Sequence, residues 1–503
     1  MAGKVFLVGA GPGDVELITL KGKKCLEMAD VVIYDYLANP ELLNFAPNAE
    51  KIYVGKKSAN HTLDQEKINE LIVSKAKENK IVVRLKGGDP FIFGRGGEEA
   101  IVLRENNIEY EIVPGVTSGF AAPLYAGIPL TMRGINSTIA LATGHETEDK
   151  EFSLIDWNAL AKMGTVIFYM GVKNMPTIVE NLIKAGKSAD TPVALIRWAT
   201  WPKQRVLTGT LEDIVEKMYK SGFKAPAIIV IGEVVRLRDK LCWFEKKPLF
   251  GKKIIVTRTK EQAGKLSSKL KELGAEVFEI PTIEIMPPVS FEELDQAIEN
   301  IESYDALILT SVNGVKYFFQ RLKDLKKDIR ILKGLKICAI GPATKEAIEE
   351  KGLVVDIMPV KYVAECVIEE LMKFGIKSKR FLLARAKIAR DVIPENIKKE
   401  GGIVDVVTVY QTVKPEKSAL ELVNTLKTEN IDYITFTSSS TVKNFFDMLG
   451  GYVLPKEVKC VSIGPVTSEA LRSYGIDPAI QAEIYTIDGL ISAILNYETT
   501  IRR

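Results

Sequence analysis

The chain has 503 residues, 46% hydrophobic and 26% charged. At roughly 100–200 residues per domain, that predicts three or four domains, each able to bury a core. Its 68 basic and 65 acidic residues leave a formal charge of +3, a balance that argues against a dedicated nucleic-acid binder but allows a local basic pocket for an acidic substrate. With only His61 and His145 and no CxxC pair among five scattered cysteines, neither a metal site nor a disulfide framework is expected. The apolar run in the opening MAGKVFLVGAGPGD is too short for a signal peptide or a membrane span, so a soluble cytoplasmic protein is expected, without a membrane partner.

Short apolar runs alternate with amphipathic stretches. VFLVG (5–9), VVIYD (31–35), IVVRLKG (81–87), TVIFYMG (165–171) and AIIVIG (227–232) end at glycine or a polar residue, the pattern of buried parallel strands. Gln65 to Lys80 predicts a helix between two of them. The predicted class is α/β. DKLCWFEKKPLFG at 239–251 mixes charge, aromatics and Pro248, and a fresh strand, KKIIVTRT, follows it. The spacing therefore predicts a first enzyme over 1–240, a linker over 241–250 and a second enzyme over 251–503.

The second half repeats itself. TSVNGVKYFF at 310–319 matches TSSSTVKNFF at 437–446, and Arg258 with Gly274 matches Arg385 with Gly401, both displaced by 127 residues. IGPATKEA at 340–347 matches IGPVTSEA at 463–470, displaced by 123. Three pieces in one order predict two similar α/β domains; the period is too long for a solenoid.

In the first half, Gly9-Ala10-Gly11-Pro12-Gly13-Asp14 follows a strand. Asp14 stands where a dinucleotide fingerprint wants its last glycine, and Pro12 removes an amide donor, so NAD is discounted. RLKGGDPFIFGRGGEE at 84–99 is more specific: five glycines, a GDP turn and two arginines in sixteen residues. Its glycines admit a ligand against the backbone, and Asp89 can accept from ribose or amine donors. Arg84, Arg95 and Arg133 are candidate clamps for carboxylates.

With VGAGPGD (8–14), DVVIYDYL (30–37), VGK (54–56), VPGVTS (113–118), GIPLT (127–131), ATGH (142–145), YMG (169–171), TPVALI (191–196), QRVLTGTL (204–211) and PAIIVIGEVV (226–235), that stretch makes residues 1–240 resemble uroporphyrinogen-III C-methyltransferase of the tetrapyrrole methylase superfamily. The resemblance implies two α/β subdomains, about 1–115 and 116–240, with S-adenosylmethionine in the cleft between them. Pro12, Gly87, Gly88, Asp89, Ile92, Thr117, Ser118, Met170 and Ala199 would line that cofactor. Asp35 takes the position of the proton acceptor and Lys56 that of the proton donor; Arg133 would hold substrate. A homodimer through this half is also implied. Two positions depart from the family: Met132 replaces a usual histidine, and Ala199 a frequent glycine.

Residues 251–503 carry hydroxyls and glycines at predicted strand ends, Thr310-Ser311, Thr437-Ser438, Gly341 and Gly464, which suit a polyanionic ligand. Together with IIVTRT (254–259) and VVTVYQT (406–412) they resemble uroporphyrinogen-III synthase. The resemblance implies two flavodoxin-like domains, about 252–286 plus 414–503 and 287–412, with hydroxymethylbilane between them. Tyr410 would assist loss of the terminal hydroxyl; Arg258, Arg385, Thr310, Ser311, Thr437 and Ser438 would face the substrate. The fusion is coherent, because the product of the second activity is the substrate of the first. Two other readings stand beside it: another methylase of the superfamily, acting on a later corrin, diphthine or ribosomal RNA, or a non-catalytic tetrapyrrole-binding protein.

Overall fold

The computed structural model describes residues 3–55, 64–145, 154–258, 260–359, 364–413 and 415–501, the side chains of 260–263, 364 and 416 excepted. Lys56 and His61 lie outside them. The chain packs as two compact units, Met1–Lys253 with Lys269–Glu276, and Ile254–Ser268 with Val277–Arg503.

The first unit holds two five-stranded sheets. Strands β1 (Lys4–Gly9), β2 (Val31–Tyr34), β3 (Glu50–Tyr53), β4 (Ile81–Lys86) and β5 (Glu109–Val113) form a wholly parallel sheet in the order β3-β2-β4-β1-β5. Val5 and Leu7 of β1 pack with Ile33, Ile72 and Leu103 on one face, Phe6 and Val8 with Leu26, Leu42 and Val83 on the other. Burial on both faces is why these strands read as unbroken apolar runs. The helix expected from Gln65 ends at Lys77, and Asn79 turns out of it with φ 61°.

The second sheet corrects the expectation of parallel strands. Strands β6 (Ile139–Thr143), β7 (Thr165–Tyr169), β8 (Pro192–Arg197), β9 (Arg205–Thr210) and β10 (Ala227–Ile231) lie in the order β6-β7-β10-β8-β9. Only β6 and β7 are paired in parallel; β10 runs against both β7 and β8, and β9 against β8. Its faces bury Phe168, Leu195 and Ile229 on one side and Ile167, Ile196 and Val230 on the other. Equal burial gives the same apolar runs in either direction, so composition could not separate them.

The expected linker over 241–250 is not a solvated tether. Phe244 is buried, and its ring and that of Trp243 pack against Tyr125. The indole of Trp243 donates to the Leu124 carbonyl. Arg238 donates to the Ala126 carbonyl and pairs with Glu245, which accepts from Gln204. The segment through Glu245 is thus part of the first unit.

The second unit also holds two sheets. Strands β11 (Lys253–Val256), β12 (Glu276–Glu279), β18 (Tyr433–Phe436), β19 (Lys459–Ser462) and β20 (Ile480–Gln481) lie in the order β12-β11-β18-β19-β20. Strands β13 (Glu284–Met286), β14 (Ala306–Leu309), β15 (Lys336–Ala339), β16 (Arg380–Ala386) and β17 (Ile403–Val413) lie in the order β13-β17-β16-β14-β15. Strand β13 pairs antiparallel with β17, so 284–286 belongs to the second sheet rather than to the 252–286 segment expected in the first.

The sequence repeat carries over to the strands. Displacements of 127 residues bring β14 onto β18, and β11 and β12 onto β16 and β17; a displacement of 123 brings β15 onto β19. Even the edge is repeated: Cys338 bridges Ile357 where Val461 pairs with Ile480. The two sheets therefore share the order of four strands, one built continuously and the other from both ends of the half.

Candidate functional site

Three neighbouring strands of the first sheet, β4, β1 and β5, end in glycine-rich loops, and ligands in parallel α/β sheets sit at such carboxyl ends. The glycines serve close backbone approach. A Cβ on Gly9 would fall 2.5 Å from the Gly115 Cα, and one on Gly115 would fall 2.3 Å from the Gly88 carbonyl oxygen. Gly11 and Gly88 exchange two backbone hydrogen bonds of 3.2 and 2.7 Å. Gly88 has φ 67°, and a Cβ there would meet nothing nearer than the Ser118 nitrogen at 3.5 Å. Its hydrogen face therefore borders open space, a cradle that a side chain would fill. Gly87 differs: a Cβ there would strike Leu37 at 2.6 Å.

Asp89 is committed to the loop. One carboxylate oxygen accepts from the Phe91 amide at 2.8 Å and the other from the Gly115 amide at 3.0 Å. Any ligand contact must use the lone pairs that remain. Thr117 is buried, and its hydroxyl lies 2.6 Å from the Tyr169 hydroxyl, which accepts the Gly119 amide at the start of the helix Ser118–Tyr125. Burial raises the Tyr169 pKa, keeping the phenol neutral.

Loops of the second sheet meet those of the first. The Asp14 amide donates to the Thr200 hydroxyl at 2.9 Å, and Tyr125 donates to the Asp14 carboxylate. The rings of Tyr36 and Trp198 touch edge to face at 5.7 Å, and Phe93 lies 4.9 Å from Tyr169. This brings Pro12, Gly88, Asp89, Thr117, Ser118 and Ala199 onto two interlocked loop sets, with Ile92 and Met170 exposed on the same loops. Of nine non-glycine residues with positive φ among the described residues, five fall here: Phe93, Arg95, Met170, Trp198 and Thr200. Such backbone costs about 1–3 kcal/mol per residue and gathers at ligand-binding loops.

Asp35 follows β2 and is partly exposed. Its carboxylate accepts from the Leu37 amide at 3.1 Å and from Arg84 at 3.2 Å. Arg84 was a candidate clamp for substrate; the structure corrects this. It is 3% exposed, faces the helix Gly96–Glu105 and is paired with Glu99. Arg95 pairs with Glu98 on the surface, and Arg133 is exposed in the turn after Met132.

In the second unit, each sheet places a hydroxyl-capped helix after one strand and a glycine-capped helix after the next. Ser311 caps Val312–Asp324 by accepting from Gly314, and Ser438 caps Ser439–Leu449 by accepting from Thr441. Gly341 and Gly464 start Pro342–Glu349 and Pro465–Ser473. Such helix starts offer amides and a positive dipole end to anions. Thr310 and Thr437 are half-buried beside their caps. The Tyr410 ring is 9% exposed, stacks on Tyr317 at 6.0 Å and places its hydroxyl 3.1 Å from that of Ser311. Arg258 is half-buried, and burial lowers its pKa. Arg385 is bound to the Asp391 carboxylate and the Arg390 carbonyl of its own loop.

Residues 4–215 match the family model described as Tetrapyrrole (Corrin/Porphyrin) Methylases, and residues 264–492 the one described as Uroporphyrinogen-III synthase HemD. The porphyrin biosynthesis protein HemD of Ruminiclostridium josui is 41% identical over 98% of this chain and 98% of its own length. The chain belongs to the tetrapyrrole methylases and the uroporphyrinogen-III synthases. Its methylase half is also 52% identical to the uroporphyrinogen-III C-methyltransferase of Methanocaldococcus jannaschii, over 48% of this chain and 99% of that protein. The S-adenosyl-L-methionine-dependent uroporphyrinogen III methyltransferase of Methanosarcina barkeri is 53% identical, over 48% of this chain and 94% of its own length.

Two residues beside the candidate site escaped the sequence. Tyr169 was read only as part of the YMG piece, and Glu99 only as the end of the glycine motif. A signal for the second existed. Arg84 and Lys86, two apart in a strand buried on both faces, point to one side and demand a buried acid opposite.

Proposed function

We propose that this chain is a bifunctional enzyme of tetrapyrrole biosynthesis. Its synthase half, about 251–503, cyclises hydroxymethylbilane to uroporphyrinogen III with inversion of the last ring. Its methylase half, about 1–240, transfers two methyl groups to that product from S-adenosylmethionine, giving precorrin-2. The observation that carries the reading is the presence of both family matches on one chain, each with a ligand-ready set of strand-end loops.

The methyl donor supplies an electrophilic carbon. The chain's own residues would align it: Gly88 leaves room at the backbone beside Thr117 and Ser118, and Pro12, Gly87, Asp89, Ile92, Met170 and Ala199 would line the cofactor with them. Alignment of donor and acceptor is worth much of the barrier. Asp35 would take the proton that the ring system loses after methylation. In the synthase half, the Tyr410 hydroxyl, held by Ser311, would protonate the departing hydroxyl of the bilane. The capped helix starts at Ser311 and Ser438 would hold carboxylates. Lys56 keeps its proposed role as proton donor.

Product analysis with hydroxymethylbilane as the only tetrapyrrole tests the whole reading. With S-adenosylmethionine present, the dimethylated precorrin-2 is expected. Separated halves should each work, provided the first keeps the packed segment through Glu245: 1–247 should methylate supplied uroporphyrinogen III, and 248–503 should give the type III isomer. The bilane closes on its own to the type I isomer, so a folded second half giving only type I overturns the synthase reading.

Tyr410→Phe removes one hydroxyl and keeps the stack on Tyr317. Type III formation should slow about tenfold or more, equivalent to about 1.4 kcal/mol of barrier, with the melting temperature little changed. A wild-type rate in a stopped closure assay would assign Tyr410 to packing alone.

A further inference from the structure

Behind Asp35 lies a buried ionic cluster that the reaction scheme above does not use. Arg84 and Lys86 leave β4 on one side, 3% and 4% exposed. Both reach the same oxygen of Glu99, Oε1, at 3.1 and 2.7 Å. Gln65 donates to that oxygen too, at 3.2 Å. Among the described residues the other oxygen, Oε2, is buried with no hydrogen-bond partner, and the Glu99 side chain is 0% exposed. Arg84 also donates to the Ile33 and Leu85 carbonyls and to the Asp35 carboxylate.

This arrangement is poor as a device for stability. Buried charges lose their hydration, and apolar residues of like volume often replace such clusters at no loss. Burial lowers the Lys86 pKa, with Arg84 adding to the effect and Glu99 opposing it. What the cluster does accomplish is geometric. Arg84 has five donors in a rigid fork: its Nε is held by Glu99 and its Nη1 by the Ile33 and Leu85 carbonyls, and this seating turns its Nη2 toward Asp35.

We propose that Glu99 is a positioning residue for methyl transfer: it clamps Arg84, and through Arg84 it fixes the carboxylate of Asp35. Lys86 holds the same oxygen of Glu99 from the other side of the clamp. The proposal rests on the reading of Asp35 as the group that receives the ring proton. It gives the methylase site a rigid support reaching from the helix Gly96–Glu105, through β4, to the end of β2.

The charged and titratable groups facing this chain are few among the described residues. Arg84 and Lys86 face Glu99 from β4, and Arg95 feels its charge from the start of the helix; Arg84 faces Asp35, and Tyr53 of β3 feels the Asp35 charge.

The test is a double-mutant cycle on the full chain, with Glu99→Gln, Asp35→Asn and the pair. Methyl incorporation into uroporphyrinogen III and S-adenosylmethionine affinity by calorimetry are measured across pH, with folding checked by circular dichroism. In Glu99→Gln, kcat should fall about tenfold, while KM for uroporphyrinogen III and cofactor affinity should hold within about twofold. In the Asp35→Asn background, Glu99→Gln should add less than about twofold, since positioning an absent base achieves nothing. Two full effects that multiply, or a loss carried by KM rather than kcat, would overturn the proposal. Wild-type turnover in Asp35→Asn alone would instead overturn the reading of Asp35. Should Glu99→Gln fail to fold, Arg84→Lys supplies the second arm, because lysine keeps the charge and loses the fork.

Discussion

Asp35→Asn should lower methylation by about 10²–10⁴-fold, the range that a positioned general base contributes. The substitution is nearly isosteric. The amide oxygen can still accept the Leu37 amide that Asp35 now holds at 3.1 Å, so the loop after β2 should keep its shape. What disappears is the negative charge opposite Arg84 and the lone pair able to take a proton. The cradle around Gly88 is built by other residues, and calorimetry should find cofactor affinity within about twofold of wild type. Synthase activity, carried by the other unit, should be unaffected. Wild-type methyl incorporation would remove Asp35 from the mechanism.

Gly88→Leu should abolish measurable S-adenosylmethionine binding, a loss of about 100-fold or more. Two effects combine. A residue with a Cβ is strained at φ 67°, by about 1–2 kcal/mol. A leucine also fills the space beyond, where the nearest atom, the Ser118 nitrogen, stands 3.5 Å from a Cβ. Gly88→Ala separates the two, since its methyl group makes ordinary contact and pays only the strain. Alanine should bind more weakly by about tenfold and leucine not at all. Equal affinities for leucine variant and wild type, measured by calorimetry on folded protein, would place the cofactor elsewhere.

How much of this was legible depends on what each residue does locally. The strands were readable because burial on both faces gives unbroken apolar runs. Their direction was not, as the antiparallel β10 shows: Ala227–Ile231 has the composition of a parallel core strand. The repeat of the second half was legible because helix caps tolerate few residue types, so Ser311 and Ser438 stayed recognisable. The split of one repeated strand into β12 and β13, each in a different sheet, was not legible, since the crossing changes the partner and not the composition. In the site, glycines announced themselves because close backbone approach excludes every other residue. Arg84 misled, because an arginine in a ligand motif reads as a clamp until its partner, fifteen positions on, is seen to be buried beside it.

The duplicated frame of the second unit is broken at Tyr410. Cap, glycine start and strand order recur, but the position 127 residues before Tyr410 is Ile283, in the stretch that crosses between the sheets. On the reading proposed above, a ligand made of like units would meet the same helix starts twice and the Tyr410 hydroxyl once. Symmetry of holding combined with asymmetry of chemistry would give the site a polarity, telling the head of a repeating chain from its tail without reading any single unit.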